Sequence, residues 1–333
     1  MQLIIAISAG DLAGIGLEVI FKALNCSTLN NNVRFVVVGN TYHLLKAFQA
    51  YSIFKEDSIE IQDSFEPSNK RITLLDITDN TDLSSIIHGE VSEISGYWSF
   101  KFLEYATDLV ISGQAHALVT APINKTSWKL AGIEYPGHTE ALAKKTNTRN
   151  YAMCFYSEQL KILLETIHIP LSKVAQTINK PSILRKLELA NAFLMALGIA
   201  NPKIAVAGLN PHSGENGHIG DEELRIIAPT IKLARNKGLN VVGPLPADTL
   251  FYQAWQEKMY DLIVCMYHDQ GLIPLKMLAM NSAVNTTLGL PLIRTSPDHG
   301  TAFDIAGKGV ANEGSMLEAI RLAVRLVSSG RNW

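Results

Sequence analysis

Three histidines, His168, His212 and His268, each follow a short apolar run that has the composition of a β-strand. They lie too far apart along the chain to form a local zinc finger, so only tertiary folding can bring them together. At the carboxyl edge of one parallel sheet, three neutral imidazoles would form a ligand set for Zn²⁺ or another borderline transition metal with an open position. A single histidine after a strand more often forms a hydrogen bond with a loop. The metal hypothesis therefore depends on the occurrence of a histidine after each of three predicted strands. Asp269, next to His268, either orients the imidazole or is an ordinary turn acid.

Two further segments place polar groups where predicted elements meet. The segment TAPINK, residues 120–125, carries the ammonium group of Lys125 to the end of a predicted strand, although a tight turn alone would explain it. The segment PGHTE, residues 136–140, presents the imidazole of His138 and the hydroxyl of Thr139 at a predicted helix start. Thr139 there either caps the helix or, with the helix N–H groups, binds an anion such as phosphate.

Lys276, Asn285 and Arg294 supply two cations and an amide within a short and mostly apolar stretch. Apolar neighbours favour a packed site for phosphate or carboxylate over a solvated basic face. The block that follows, up to Met316, contains no long apolar run. We therefore predict that residues 294–316 form a loop at the edge of the fold that lines a ligand pocket.

Two segments are rich in glycine. Residues 208–223, GLNPHSGENGHIGDEE, contain four glycines and two histidines, which is more flexibility than a simple connection needs. We expect this loop to wrap a ligand. Residues 10–18, GDLAGIGLE, form a glycine-rich turn between a predicted strand and helix, which suits a phosphate or is simply a tight turn. The turn lacks the GxGxxG spacing of the dinucleotide-binding fingerprint.

The elements that must position these residues alternate along the chain. Near-continuous apolar runs predict strands that are covered on both faces, at 3–8, 34–38, 72–77, 117–120, 160–165, 203–207 and 262–266. Helical patterns lie between them, for example at 182–198 and 221–238, whereas the polar stretch 55–70 is predicted to be a surface loop. The alternation predicts a doubly wound, mostly parallel α/β fold, in which ligands bind at the carboxyl ends of the strands.

Composition narrows the functional classes. The 333 residues include 29 Lys and Arg against 31 Asp and Glu, a net charge of −2 that argues against a general nucleic-acid binder. With 47% hydrophobic residues the chain can bury the core of one large α/β unit or of two lobes. No apolar run reaches the ~18 residues of a membrane span, and the N-terminus lacks the features of a signal peptide. Three scattered cysteines indicate a reducing compartment, so we expect a soluble, cytoplasmic protein without membrane partners.

The ordered blocks GDLAGIGLE, TAPINK, GHTE, HIPL, LNPHSGENG, PLPADTLF, YHDQGLIPLK and DHGTAFDIAGKG resemble, nearly end to end, the family of 4-hydroxythreonine-4-phosphate dehydrogenases. The resemblance implies a two-lobed fold like that of isocitrate and isopropylmalate dehydrogenases, with no Rossmann fingerprint. It also implies a homodimer with its active site at the subunit interface. We expect a first α/β lobe from 1–128 plus 296–333, and a second from 129–295 with metal and substrate residues and the dimer interface.

The resemblance also assigns residues. His168, His212 and His268 match the family's metal ligands, implying one divalent metal (Zn, Mg or Co) per site. His138, Thr139, Lys276, Asn285 and Arg294 match its substrate-binding positions. The loop 299–308, beginning with His299 and Gly300, resembles the adenine-side loop that binds NAD or NADP, with Asn312 as a weaker candidate. Leu12 and Leu17 stand where the family usually has proline, which puts the shape of the glycine turn in question.

The reaction implied is metal- and NAD-dependent oxidation of 4-phosphooxy-L-threonine to 2-amino-3-oxo-4-phosphooxybutanoate. This β-keto acid then decarboxylates to 3-amino-1-hydroxyacetone 1-phosphate, within pyridoxal 5′-phosphate biosynthesis. Asp248 and Lys125 are the candidates for the group that accepts the hydroxyl proton. Alternatives are a paralogous dehydrogenase of a phosphorylated sugar acid (4-phosphothreonate or 4-phosphoerythronate), a metal-dependent phosphatase or lyase, and a catalytically silent binding protein.

Overall fold

In a computed structural model of the chain, which describes residues 2–27, 29, 32–79 and 81–330, strands and helices alternate as the apolar runs predict. The strands are β1 Leu3–Ser8, β2 Val33–Gly39, β3 Ile59–Gln62, β4 Ile72–Asp76, β5 Ala117–Thr120, β6 Ala152–Tyr156, β7 Lys161–Leu164, β8 Ile204–Ala207, β9 Val241–Leu245, β10 Leu262–Cys265, β11 Val284–Leu288 and β12 Arg294–Pro297. The helices are α1 Gly16–Leu24, α2 Thr41–Tyr51, α3 Glu93–Ile111, α4 Lys125–Leu130, α5 His138–Lys145, α6 Val174–Thr177, α7 Lys180–Ala196, α8 Ala228–Asn236, α9 Ala247–Trp255, α10 His268–Ala279 and α11 Gly314–Ser328.

The chain divides into two compact units. The first comprises Met1–Asn147 and Pro291–Ser328, and the second comprises Thr148–Leu290 with the residues from Ser329 onward. The sequence-based boundaries at 128/129 and 295/296 assigned residues 129–147 and 291–295 to the other lobe. The boundary near residue 295 differs because β12 pairs in parallel with β5, with Arg294 opposite Leu118. This pairing holds the segment in the first unit. His138, Thr139 and Arg294 therefore belong to the first unit.

The six strands of the first unit are ordered β3-β4-β2-β1-β5-β12, and all of their pairings are parallel. The carboxyl ends of β1, β5 and β12 consequently meet at one edge, where three loops begin: the glycine turn, the TAPINK segment and the loop containing His299. Apolar side chains on both faces, among them Ile5, Phe35 and Leu118, are fully buried. Each contributes about 1.5–3 kcal/mol by leaving water.

The second unit has the strand order β11-β6-β7-β10-β8-β9, in which β6 runs antiparallel to both neighbours and the other pairs are parallel. Strand β10 lies between β7 and β8, with Val264 opposite Leu163 on one side and Val206 on the other. These are the three strands that precede His168, His268 and His212. A core that includes Phe155, Ile162, Ile263 and Leu275 packs helices α9 and α10 onto this sheet.

Three elements differ in detail from the sequence-based expectations. The polar stretch 55–70 contains β3, a half-exposed strand with alternating apolar residues. Residues 294–297, expected in a loop, form the fully buried strand β12. The helix predicted at 221–238 begins with a π-helical turn, Glu223–Ile227, before α8. Pro229 accounts for this turn, because it has no N–H to donate and its ring would clash with the carbonyl four residues earlier.

No helix in the described part of the chain is both long enough and apolar enough to cross a membrane. The three cysteines, all of which are described, form no disulfide. The finding agrees with the sequence-based argument against a disulfide framework.

Candidate functional site

His168 and His268 lie side by side in the second unit. Strands β7 and β10 are neighbours, and the pairing continues past their ends, because the amide of Glu165 donates to the carbonyl of Cys265 at 2.8 Å. The ring centroids of His168 and His268 are 5.9 Å apart. Both rings line a cavity of about 280 Å³, together with Ile167, Ile169, Leu171, Val174, Tyr267 and Asp269.

The chemistry and spacing of this histidine pair fit a shared transition metal. With metal–nitrogen distances of about 2.1 Å, two imidazoles on one tetrahedral ion have ring centres roughly 5 Å apart. Asp269 Oδ1 lies 2.7 Å from His268 Nδ1, so the carboxylate can accept a hydrogen bond from Nδ1–H. This contact leaves Nε2 as the atom that can bind a metal. Of the two sequence-based roles for Asp269, the contact favours orientation of the imidazole.

His212 is not gathered with the pair into a three-residue metal site among the described residues. It belongs to the 3₁₀ turn Pro211–Gly217, in which residues 212–216 all have left-handed backbone angles, with φ between 43° and 79°. Left-handed geometry costs about 1–2 kcal/mol per non-glycine residue, so the surroundings must hold this turn in place. Among the described residues, no three His, Cys, Asp or Glu side chains are gathered to hold a metal. The three-histidine group expected from the sequence is therefore not assembled within this chain.

Glu223 anchors the loop that carries His212, and the sequence analysis missed it. Its buried carboxylate accepts the amides of Leu209 at 2.8 Å and Asn210 at 2.7 Å, and the side-chain amide of Asn210 at 2.9 Å. A Cβ on Gly214 would lie 2.7 Å from Glu223 Oε2, so glycine is needed for this approach. Acidic residues are common in the first turn of a helix because they interact favourably with the helix dipole. The position of Glu223 in the sequence therefore did not indicate its role in anchoring the loop.

A buried cation, Arg294, lies in the first unit. Arg294 is buried, 2% exposed, and its guanidinium donates to Thr120 Oγ1 at 2.7 and 3.2 Å. Burial lowers the pKa of Arg294 to about 10, although the nearby Glu140 carboxylate raises it, so the side chain stays cationic at neutral pH. A buried cation of this kind favours a bound anion strongly, because little water competes for it.

His138 faces the same region as a neutral imidazole. Burial lowers its pKa well below the usual 6.5, and the positive charges of Arg294 and Lys125 lower it further. Its Nε2 atom is buried and makes no hydrogen bond, while the ring packs edge-on against Trp128 at 5.7 Å. The unsatisfied nitrogen is a group that a ligand could complete, since buried polar atoms are normally hydrogen-bonded.

Thr139 and Lys125 lie near His138. Thr139 is buried in the first turn of α5, where helix N–H groups can receive an anion. Lys125 is the exposed first residue of α4, and a Cβ added to Gly137 would lie 3.8 Å from its Cε. The first unit thus brings together four predicted site residues: Lys125, His138, Thr139 and Arg294.

The remaining substrate and base candidates belong to the second unit. Lys276 is half-buried on α10, and Asn285 lies on β11 opposite Phe155. Asp248 is exposed in the first turn of α9. The five expected substrate residues are thus divided between the two units, with His138, Thr139 and Arg294 in the first and Lys276 and Asn285 in the second.

The loop expected to bind the cofactor begins after β12. His299 Nδ1 lies 3.0 Å from the Gly300 carbonyl, and its Nε2 is buried without a hydrogen-bond partner. A Cβ on Gly300 would meet nothing within 4 Å, so this glycine is not required by packing. Asn312 Oδ1 accepts the amide of Gly314 at 2.9 Å at the start of α11, a capping contact that accounts for Asn312 structurally.

The glycine turn supports both neighbouring loops. The amide of Asp11 donates to the Pro122 carbonyl at 3.0 Å, and that of Ile15 donates to the Thr301 carbonyl at 3.1 Å. A Cβ on Gly10, whose φ is +72°, would lie 2.3 Å from Pro122 O. Leu12 and Leu17, which replace the family's usual prolines, are buried and leave these contacts intact.

Asp11 is a buried carboxylate that the sequence analysis did not single out. It accepts hydrogen bonds from Ser95 Oγ and from the amide of Ala13 at 2.9 Å. Burial raises its pKa, and these hydrogen bonds lower it. Asp11 therefore joins the glycine turn to the N-terminus of α3.

Known proteins match the chain along nearly its whole length. The D-threonate 4-phosphate dehydrogenase of Pectobacterium atrosepticum is 43% identical over 328 residues, which cover 98% of this chain and 100% of the relative. The 4-hydroxythreonine-4-phosphate dehydrogenase of Desulforapulum autotrophicum is 42% identical and covers 96% of this chain and 94% of its own length. Relatives under both names are oxidoreductases, which argues against the phosphatase or lyase alternative.

Solved structures agree with the sequence relatives. A crystal structure of 4-hydroxythreonine-4-phosphate dehydrogenase from Klebsiella pneumoniae is 45% identical, with a TM-score of 0.86 and 98% of both chains covered. Isocitrate dehydrogenase from Methylococcus capsulatus has a TM-score of 0.51 at 13% identity, over 98% of this chain and 86% of its own, which is a likeness of fold alone. The fold class expected from the sequence is therefore confirmed.

The family described as pyridoxal phosphate biosynthetic protein PdxA matches residues 31–323. The match spans most of the chain, and full-length relatives and a solved structure agree with it. The resemblance inferred from the motifs is thereby confirmed, and the chain belongs to the PdxA family.

Proposed function

We propose that the protein is a metal- and NAD(P)-dependent dehydrogenase that oxidises 4-phosphooxy-L-threonine at its hydroxyl group. The 3-oxo product would lose CO₂ to give 3-amino-1-hydroxyacetone 1-phosphate. The observation that carries the proposal is the buried Arg294 beside the neutral His138, a site built for a strongly charged group such as a phosphate. Relatives that bear this activity in their names support the substrate.

A second substrate has specific support. D-threonate 4-phosphate has the same 4-phosphate, 3-hydroxyl and carboxylate, with a hydroxyl in place of the amino group at C2. The Pectobacterium relative, at 43% identity, is named for this substrate. The phosphate contacts proposed below suit both molecules equally, so the choice depends on the residues that face C2.

Arg294, His138 and Thr139 would hold the phosphate. The guanidinium would supply positive charge, and the Thr139 hydroxyl and the N–H groups of the first turn of α5 would supply hydrogen-bond donors. The buried Nε2 of His138 would gain a hydrogen bond to the phosphate. Lys276 on α10 and Asn285 on β11 remain our candidates for binding other polar groups of the substrate. Lys125 and Asp248 remain the candidates for the base, and both are exposed enough to exchange a proton with water.

His168 and His268 would hold the divalent metal, with Asp269 fixing the tautomer of His268. When bound, the metal supplies Lewis-acid stabilisation of the oxygen that becomes the ketone. His212 lies outside this pair, so we propose that His212 of the partner subunit completes the ligand set in a homodimer. The loop from His299 to Lys308 would bind the adenine side of the nicotinamide cofactor.

A surface of the second unit suits such a dimer. Helix α10 exposes Ile273, Met277 and Met280, which are 59%, 82% and 64% exposed and lie on one helical face. An exposed apolar stripe of this kind favours protein contact. Lys276 lies next to Met277, so pairing of this helix would bring a substrate residue towards the interface. A reducing, cytoplasmic location also remains our expectation.

An assay of NADH or NADPH formation tests the proposal. The protein is mixed with 4-phosphooxy-L-threonine or D-threonate 4-phosphate, each with and without Zn²⁺, Mg²⁺ or Co²⁺. We expect metal-dependent turnover of the first substrate, with release of CO₂. A kcat/KM at least tenfold higher for D-threonate 4-phosphate would assign the second function. Turnover of neither substrate with either cofactor and any of the metals would refute both.

A further inference from the structure

The backbone of one residue, Met266, links the three strand ends from which the histidine loops depart. The carbonyl of Met266 accepts the Thr166 hydroxyl at 2.7 Å and the Thr166 amide at 3.2 Å. The amide of Met266 donates to Gln270 Oε1 at 2.7 Å, and Gln270 Nε2 donates to the Gly208 carbonyl at 2.7 Å. Thr166, Met266 and Gln270 are all buried. A continuous line of hydrogen bonds thus runs from the end of β7, through β10, to the end of β8.

The position of this line relative to the histidines is regular. Thr166 is two residues before His168, and Met266 is two residues before His268. Gly208 is the first residue of the loop that carries His212. The strands end at Leu164, Cys265 and Ala207, and backbone bonds of Glu165 and Thr166 continue the pairing of β7 with β10 past these ends. The Thr166 hydroxyl adds a second bond to the Met266 carbonyl, and the Gln270 side chain extends the link to Gly208 at the end of β8.

Packing holds Gln270 in this place. The next residue, Gly271, lies so close to the sheet that a Cβ would be 2.6 Å from Ile162 Cγ2 and 3.1 Å from Cys265 Sγ. The first turn of α10 therefore rests directly on β7 and β10, with the Gln270 side chain inside. A buried side chain with two short hydrogen bonds to backbone has little freedom, which is the property a positioning group needs.

We propose that Thr166 and Gln270 are positioning residues that set the spacing of His168 and His268 and anchor the root of the His212 loop through the backbone of Met266. The inference rests on the proposed metal function of these histidines. Neither side chain touches the metal in this account, since each acts through the backbone. Groups that orient metal ligands in this way typically change metal affinity by 10- to 100-fold.

The test measures the dissociation constant for Co²⁺ by competition with a chelator in the full-length protein. Thr166→Val keeps the shape of the side chain but removes the hydroxyl, and Gln270→Met removes both amide contacts. We expect each to weaken Co²⁺ binding about 10- to 100-fold and to change the visible spectrum of the bound ion. Thr166→Ser retains the hydroxyl and should bind Co²⁺ within about threefold of wild type.

Thr230→Val is the matched control. Thr230 is also buried in the second unit, and its hydroxyl donates to the Ile226 carbonyl at the same 2.7 Å, but this bond lies within one helical segment and is not part of the line from Thr166 to Gly208. It should lower the melting temperature of the metal-free protein as Thr166→Val does, with unchanged Co²⁺ affinity. If Gln270→Met fails to fold, the comparison of Thr166→Val with Thr166→Ser is sufficient to test the inference.

Wild-type Co²⁺ affinity and spectrum in Thr166→Val would overturn the inference while leaving the metal site standing. Equal losses in Thr166→Val and Thr230→Val would also overturn it, since the effect would then be one of general stability. A wild-type protein that binds no Co²⁺ would instead refute the proposed metal function, and the inference with it.

Discussion

Replacement of Arg294 by methionine should weaken catalysis while stabilising the ligand-free protein. The fall in the pKa of Arg294 from its ordinary value to about 10 corresponds to about 3 kcal/mol by which burial disfavours the charged form. Methionine fills a similar volume without that charge. Thr120 and the other partners of Arg294 lose a donor, which costs at least about 1 kcal/mol, so we expect a net stabilisation of at most about 2 kcal/mol at pH 7.

The effect on catalysis should have the opposite sign. A charge-assisted hydrogen bond to the substrate contributes about 1.5–3 kcal/mol, so kcat/KM should fall by roughly 10- to 150-fold. Cofactor affinity should change much less. Arg294→Lys is the matched control, because it retains the positive charge but loses the paired donors of the guanidinium, and it should give an intermediate kcat/KM.

The assays are denaturant unfolding of the ligand-free protein and steady-state kinetics with the better of the two substrates. A variant that is destabilised, yet binds substrate as wild type does, would show that Arg294 is a structural cation and that the phosphate assignment is wrong. If the variant loses cofactor binding but keeps substrate binding, Arg294 would instead be assigned to the cofactor site.

Further predictions concern the metal, the interface and pH. Alanine at His168 or His268 should remove both metal and activity, and full metal occupancy by elemental analysis would contradict the assignment. Inactive His212→Ala and His268→Ala proteins should recover about one quarter of wild-type activity after subunit exchange, because half of the dimers then contain one intact site. No recovery from a dimer confirmed by light scattering would contradict a shared site, and His168→Ala mixed with His268→Ala should never recover, since these two lie on one chain. Met277→Glu on the exposed face of α10 should shift light scattering towards the monomer, whereas an unchanged mass would exclude this face as the interface. Because the pKa of His138 is lowered in the native protein, the unfolded chain takes up a proton below pH 6.5 while the native protein does not, so the contribution of His138 to the free energy of unfolding is full above pH 6.5 and falls below it. His138→Gln should therefore flatten the dependence of the free energy of unfolding on pH, measured by denaturant titrations. An unchanged pH dependence would contradict the buried neutral imidazole.

The amino-acid sequence by itself determined the α/β class, most of the parallel strands and the family. Strands such as β1, β2 and β10 are continuous apolar runs because they are buried on both faces, and this pattern is local. The placement of His168, His212 and His268 after three strands could likewise be read along the chain. Strand β12 escaped prediction because its residues, Arg-Thr-Ser-Pro, are polar and are buried only through their partners.

Only the tertiary structure decided which of these residues meet. Strand order put β10 between β7 and β8, which brought His168 and His268 together, while His212 lies in a left-handed turn anchored by Glu223. The pairing of β12 with β5 placed Arg294 beside Thr120 in the first unit, although it lies far from that residue in sequence. Contacts of this kind depend on how whole elements pack, and no local pattern of residue types records that packing.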